Sequence, residues 1–193
     1  VNSIAIKGDL LAVAVEADVK QDNGAILFYS LNEMGEGTFI KAVEAGALPD
    51  MVTFTPDGTK VLVANEGEPN TDYSNDPEGS ISIISVVDAS PVDFAIIINM
   101  STDIVFNDDT LAPEDFDTDA KRMELLSSAG VKFAGPTGNT VAKDLEPEYI
   151  TTSSNSEMAY VSLQENNAIG IINLKDLTIE VKALGYKDWG KYQ

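Results

Sequence analysis

Short runs of apolar and polar residues alternate along most of this chain with the two-residue period of half-buried strands, and they recur in one order. "VNSIAIKGDLLAVAVEAD", "PDMVTFTPDGTKVLVANEGE" and "PEYITTSSNSEMAYVSLQEN" each give a strand, a polar turn and a second strand that ends in glutamate. Their turns are Lys7-Gly8-Asp9, Pro56-Asp57-Gly58-Thr59 and Ser153-Ser154-Asn155-Ser156, residues suited to tight geometry and local side-chain hydrogen bonds. A third strand follows in each copy ("GAILFYSL", "GSISIISVV", "AIGIINL"), and then a fourth ("TFIKAVEA", "DFAIIINM", "TIEVKAL"). Four strands in a unit of about 40 to 50 residues is the arithmetic of a β-propeller blade. The expected fold is all-β: a partial propeller of three four-stranded antiparallel blades at residues 1–47, 48–99 and 146–184. The competing reading is a three-layer β fold that merely contains repeats.

Residues 100–145 break the repeat and are read as an insertion, not a second domain. "TDAKRMELLSSAG" predicts one short helix, with Thr118 or Asp119 as N-cap and Gly130 as the stop. Ala120, Met123, Leu126 and Ala129 are spaced for one face, which must lie on the blades because three turns are marginal alone. Closed propellers need about four to eight blades, so three leave an open arc. The expectation is therefore a portion of a longer protein, beginning directly in a strand without a leader. Trp189 and Tyr192 are read as core of the next blade. The uncovered end faces are expected to meet further blades or a second copy.

Charge narrows the chemistry. Asp and Glu outnumber Lys and Arg by 32 to 12, a formal net charge of −20, which opposes nucleic acid and anionic membranes. The absence of cysteine removes thiolate chemistry, and the absence of histidine removes the commonest general base and transition-metal ligand. Carboxylates, carbonyls and hydroxyls remain, the ligand set of calcium and magnesium. No apolar run is long enough to span a bilayer as a helix.

Two sets of carboxylates stand out. In a blade, the connection entering the first strand and the one leaving the second open on the same face. Asp50 and Glu148 sit at strand starts and Glu16, Glu66 and Glu165 at second-strand ends, so they are expected to crowd the mouth of a central channel. Glu16, Asp50, Glu148 and Glu165 are the candidate ligand-binding set. The second set is the loop "EGEPNTDYSNDPEG", which holds Glu66, Glu68, Asp72, Asp76 and Glu78 without a single cation. Asn70, Asp72, Ser74 and Asp76 place oxygens at every second residue, as in linear calcium loops, and these five carboxylates are the candidate metal ligands. Asn75 stands where such a loop has its glycine, so a solvated acidic loop is the competing reading. For Glu66 and Glu165 the alternative is strand-end capping through backbone N–H groups. No GxSxG elbow, SxxK or phosphate-binding glycine loop is present.

"GALPDMVTFTPDGTKVLVANEGEPN", "DPEGSISII", "DLEPEYI", "LQENNAI" and "LGYKD", with the first eighteen residues, resemble the choice-of-anchor I family. That family comprises secreted bacterial propellers with YVTN-like repeats, some bearing alkaline-phosphatase-like descriptions, and is similar to mesenchyme-specific cell-surface glycoproteins. The resemblance implies an extracellular, cell-surface or periplasmic location. Two functions follow as expectations: a binding or scaffold module whose acidic rim holds calcium or another divalent ion for an unknown extracellular ligand, or part of a metal-dependent phosphoesterase.

Overall fold

The computed structural model describes residues 1–185, and Trp189 and Tyr192 lie outside them. The first sheet runs β1 (Ser3–Lys7), β2 (Leu10–Val15), β3 (Asn23–Leu31) and β4 (Gly37–Ala47), each hydrogen-bonded to the next. The second contains β5 (Pro49–Phe54), β6 (Lys60–Asn65), β7 (Ser80–Val87), a two-residue β8 (Ser90–Pro91) and β9 (Ile96–Asn99). Here β7 pairs with β9 through its first half and with β8 through its end. The third runs β10 (Pro147–Thr152), β11 (Met158–Leu163), β12 (Ala168–Asn173) and β13 (Thr178–Ala183). All of these pairings are antiparallel. β1 lies against β5 and β5 against β10, so the first strands line the inside of the arc. The fold is a partial propeller of three blades with a short helical insertion.

The fourth strand of the second blade is shorter than its apolar run predicts. Asp88 and Ala89 both take positive φ (48° and 58°), the geometry of a two-residue hairpin turn, and Pro91 has no N–H to extend the pairing. The end of β7 is thereby occupied by β8, and β9 starts only at Ile96.

Alternation along each sheet builds two cores. Leu10, Ala12, Ala14, Ile26 and Phe28 of the first blade pack on Val52, Phe54, Val61, Val63 and Ile84 of the second. The opposite face of the second blade, Leu62, Ala64, Ile81, Ile83 and Ile98, packs on Ile150, Val161, Leu163 and Ile172 of the third. The insertion joins this second core through Met100, Ile104, Leu126, Val131, Val141 and Leu145. It also adds a short parallel bridge to the outer edge of β13, where Ile179 N–H donates to Asp103 O and Val105 N–H to Ile179 O.

Helix α1 (Asp119–Ala129) has the predicted ends: Thr118 Oγ1 accepts from Lys121 N–H, and Gly130 closes it at φ 103°. Its predicted face is corrected. Leu126 is buried and Met123 half-buried, whereas Ala120 and Ala129 are exposed. The main element contacts of the helix are with β13 and the one-turn α2 (Val141–Asp144), supports too narrow to cover a full stripe.

Candidate functional site: an acidic mouth between the blades

The bulges at the starts of β5 and β10 set the geometry. Pairing of β5 with β6 skips from Pro49↔Asn65 to Met51↔Ala64, and that of β10 with β11 skips from Pro147↔Leu163 to Ile150↔Val161. Asp50 and Glu148 fall in these bulges, a device that redirects a side chain out of the regular pleat. Both carboxyls are held above the ordinary range. Burial is the main cause for each; Glu16 adds to it at Asp50, where Lys20 opposes, and Asp50 and Glu165 add to it at Glu148. Glu148 Oε2 is buried without a hydrogen-bond partner among the described residues.

Glu66, directly after β6, projects into the same region and is pushed up to about 7. Burial dominates, repulsion from Glu68, Asp50 and Glu148 adds to it, and Lys20 opposes it. Glu146, at the exit from the insertion, is likewise pushed up to about 7, first by burial and then by Glu66, Glu165, Glu68 and Asp144. Glu16, Asp50, Glu66, Glu68, Glu146, Glu148 and Glu165 thus form one electrostatically continuous mouth. The predicted ligand-binding set lies within it, and Glu146 joins it. Neither Glu66 nor Glu165 accepts a backbone N–H among the described residues, so strand capping is not their local role. Register also refines the repeat. Because Asn65 pairs with Pro49 as Leu163 pairs with Pro147, Gln164 stands where the second blade has Glu66, and Glu165 follows it, exposed.

The acidic loop does not form the cage that its spacing predicts. Glu66 turns into the mouth, Glu68 pairs with Lys20, and Glu78 accepts from Asn99 Nδ2 at 2.8 Å. Asp72 is exposed and its Oδ1 is taken up locally, accepting from Ser74 N–H at 3.1 Å and from the Ser74 hydroxyl at 2.7 Å. Asn70 closes the tip by accepting from Asn75 N–H through Oδ1 and donating to Ser74 Oγ. Asp76 leans toward the insertion. Burial raises its carboxyl, nearby Lys143 and Asn139 oppose the rise, and its Oδ1 has no hydrogen-bond partner among the described residues. Asn70, Asp72 and Ser74 are therefore bonded to one another at the tip while Asp76 turns away, and no three acidic side chains among the described residues converge as a metal cage.

The loop is pinched at its base. A Cβ on Gly67 (φ 71°) would lie 2.6 Å from Gly79 N, and one on Gly79 would lie 2.0 Å from Leu145 O. Gly79 N–H donates to Ala142 O at 2.7 Å, so the loop and the insertion are tied together where both reach the mouth. Between them opens a cleft of about 450 Å3, with Glu66, Glu146 and Glu165 on one side and Tyr73, Asn139 and Lys143 among its other walls.

Asn166, in the turn between β11 and β12, is the clamp beneath the cleft. It is only 2% exposed. Its Nδ2 donates to Lys132 O (3.0 Å) and Asp144 O (2.7 Å), and its Oδ1 accepts from Glu146 N–H (3.2 Å). Asp144 then accepts from Ala134 and Gly135 N–H. The sequence signal for this clamp was weak: one Asn in a polar hairpin.

Comparison with solved structures finds the periplasmic gluconolactonase PpgL of Pseudomonas aeruginosa at 16% identity and TM-score 0.45, covering 97% of this chain and 58% of that one. A candidate 6-phosphogluconolactonase of Bacteroides uniformis matches at 17% identity and TM-score 0.43, covering 93% and 55%. Hydrazine synthase of Kuenenia stuttgartiensis matches at 14% identity and TM-score 0.46, covering 90% and 39%. The chain therefore spans well under two thirds of each of these structures. No curated protein matches its sequence. Residues 1–193 match the model of the choice-of-anchor I domain, and the chain belongs to the choice-of-anchor I family.

Proposed function

We propose that this chain is a propeller binding module of the extracellular surface or periplasm whose acidic mouth receives a cationic ligand, with calcium the ion of first choice. The observation that carries this reading is the meeting of carboxylates from all three blades at one mouth, where burial and mutual repulsion push Glu66 and Glu146 up to about 7. Negative charge held at such a cost is relieved by a bound cation. The donor set suits a hard ion: carboxylates surround the opening and Glu148 Oε2 lacks a partner among the described residues. Because no three acidic side chains among the described residues converge as a metal cage, Glu66, Glu146 and Glu148 would attract the cation through the field they share, not as a preformed ligand set. The surface location is proposed from the family and its anchoring name.

The phosphoesterase alternative has less support. The cations beside the mouth among the described residues are Lys20 and Lys143, and an incoming phosphate would face a ring of carboxylates.

Thermal unfolding in calcium against sodium of equal ionic strength tests the proposal. At a hundred times Kd, a ligand specific for the folded state adds about 2.7 kcal/mol. For a chain of this size that is about 5–10 °C in Tm. Magnesium should give less, because it dehydrates reluctantly. Glu66→Gln with Glu146→Gln should abolish the calcium increment. Equal melting in calcium and matched sodium would remove the metal from the proposal.

A further inference from the structure

The first two blades part at their outer corner. Because β8 occupies the end of β7, β9 begins only at Ile96, and residues 92–95 run outside the sheet. Between this segment and the end of β4 opens a cleft of about 460 Å3, every wall of which comes from residues 23–99. It shares none of the carboxylates of the mouth. Phe94, 65% exposed, and Ile97, 46% exposed, stand in its wall. Pairing of Ile97 with Ser82 and of Asn99 with Ser80 turns both β9 residues toward the first blade. Opposite them Gly46 lets β4 approach so closely that a Cβ there would lie 2.5 Å from Ser80 Oγ.

Three carboxylates stand around the opening, each with one oxygen already held. Glu44 Oε1 accepts from Asn23 Nδ2 (3.3 Å), Glu78 Oε2 from Asn99 Nδ2 (2.8 Å) and Asp93 Oδ1 from Lys41 Nζ (2.5 Å). Glu44 and Glu78 are in no ion pair among the described residues, and each has its other oxygen free of side-chain partners there. At the floor lies a buried polar trio. Asn65, 0% exposed, donates through Nδ2 to Ser80 Oγ (3.1 Å) and Ser82 Oγ (2.8 Å), while its Oδ1 has no partner among the described residues. With the amide so oriented, the Ser80 proton has no acceptor among those residues, and Ser80, only 6% exposed, is the member of the trio that reaches the cleft. An unused donor in so buried a group is costly, and an oxygen brought by a ligand would relieve it.

We propose that this cleft binds an apolar amine with a carbonyl beside its ammonium, the chemistry shared by the free N-terminus of a peptide and by an amino-acid amide. The side chain packs on Phe94 and Ile97, the ammonium lies between Glu44 and Glu78, and the carbonyl accepts from the Ser80 hydroxyl. A free carboxylate in place of the amide would be repelled by the same rim. The volume suits a small molecule or the end of a chain, since ligand pockets run from about 300 to 1,000 Å3. The inference does not depend on calcium being the ligand of the mouth.

Amide chemical-shift mapping by NMR with L-phenylalaninamide, at about pH 6 where its amine is charged, tests the proposal. Saturable shifts should centre on Gly46, Ser80 and Ile97, with a Kd of about 1 mM for a probe of this size. N-acetyl-L-phenylalaninamide, which lacks the charge, should bind about fivefold more weakly, as two exposed carboxylates warrant. Phenethylamine, which lacks the carbonyl, should also lose about fivefold. In a chain carrying Glu44→Gln with Glu78→Gln the amide and its acetylated form should bind alike, and in Ser80→Ala the amide and phenethylamine should. The comparison of the three probes on the wild type decides the matter even where a variant fails to fold. Either analogue binding the wild type as tightly as L-phenylalaninamide overturns the proposal. So does the absence of saturable shifts, or their confinement to Glu66, Glu146 and the rest of the mouth.

Discussion

Replacing Glu66 and Glu146 together by Gln should stabilise the protein at alkaline pH and leave it unchanged in acid. Both carboxyls are raised from the ordinary 4.5 to about 7. On a fully desolvated group a displacement of that size corresponds to about 3 kcal/mol. Both side chains are half-exposed, so solvent screening removes roughly half of it. Their mutual repulsion also enters both values and should be counted once, which leaves about 2 kcal/mol for the pair. The sign follows from proton binding. The folded chain holds these protons to higher pH than the unfolded chain, so stability falls as pH rises from about 4.5 to about 7. Gln carries no charge to repel. Thermal melts at low salt should therefore show the double variant about 4–8 °C above the wild type near pH 8 and level with it near pH 4. Added salt should shrink the gap. A wild-type Tm that is flat or rises across this window, or a double variant no more stable at alkaline pH, would refute the account of the mouth as a site of unrelieved repulsion.

Asn166→Leu keeps the volume of the clamp but strips Lys132 O, Asp144 O and Glu146 N–H of their partner, and should cost about 3 kcal/mol in urea unfolding. Gly79→Ala drives a methyl group onto Leu145 O and Pro147 Cδ, so about 3 kcal/mol should be lost, with faster proteolysis of the insertion as a second readout. Thr118→Ala removes the acceptor at the start of α1 and should cost about 1 kcal/mol without altering the β signature in circular dichroism. The acidic tip offers a contrast: Asp72→Asn should move Tm by less than about 1 °C, since Asp72 is exposed and bonded only within its own turn.

The blade repeat, the polar turns, the helix ends at Thr118 and Gly130 and the place of the insertion were all legible in the chain, because each is recorded by residues within a few positions of one another. Alternation states which strand residues are buried, and caps and turns are chosen by local backbone geometry. The crowding of Glu16, Asp50 and Glu148 was also within reach, since a blade brings first-strand starts and second-strand ends to one side. Other features depended on contacts between segments far apart in sequence. Spacing alone suggested that the oxygens of Glu66, Glu68, Asp72, Asp76 and Glu78 converge; in the fold Lys20, Ser74, Asn99 and the insertion draw four of them in different directions. Nor could spacing reveal that Asn166 fastens the insertion to the third blade, that Gln164 rather than Glu165 matches Glu66, or that Glu146 comes to lie against Glu66. Periodicity encodes whether a side chain is buried, but the charge it faces is decided by bulges, by register and by which blade stacks on which, and only the assembled arc determines these.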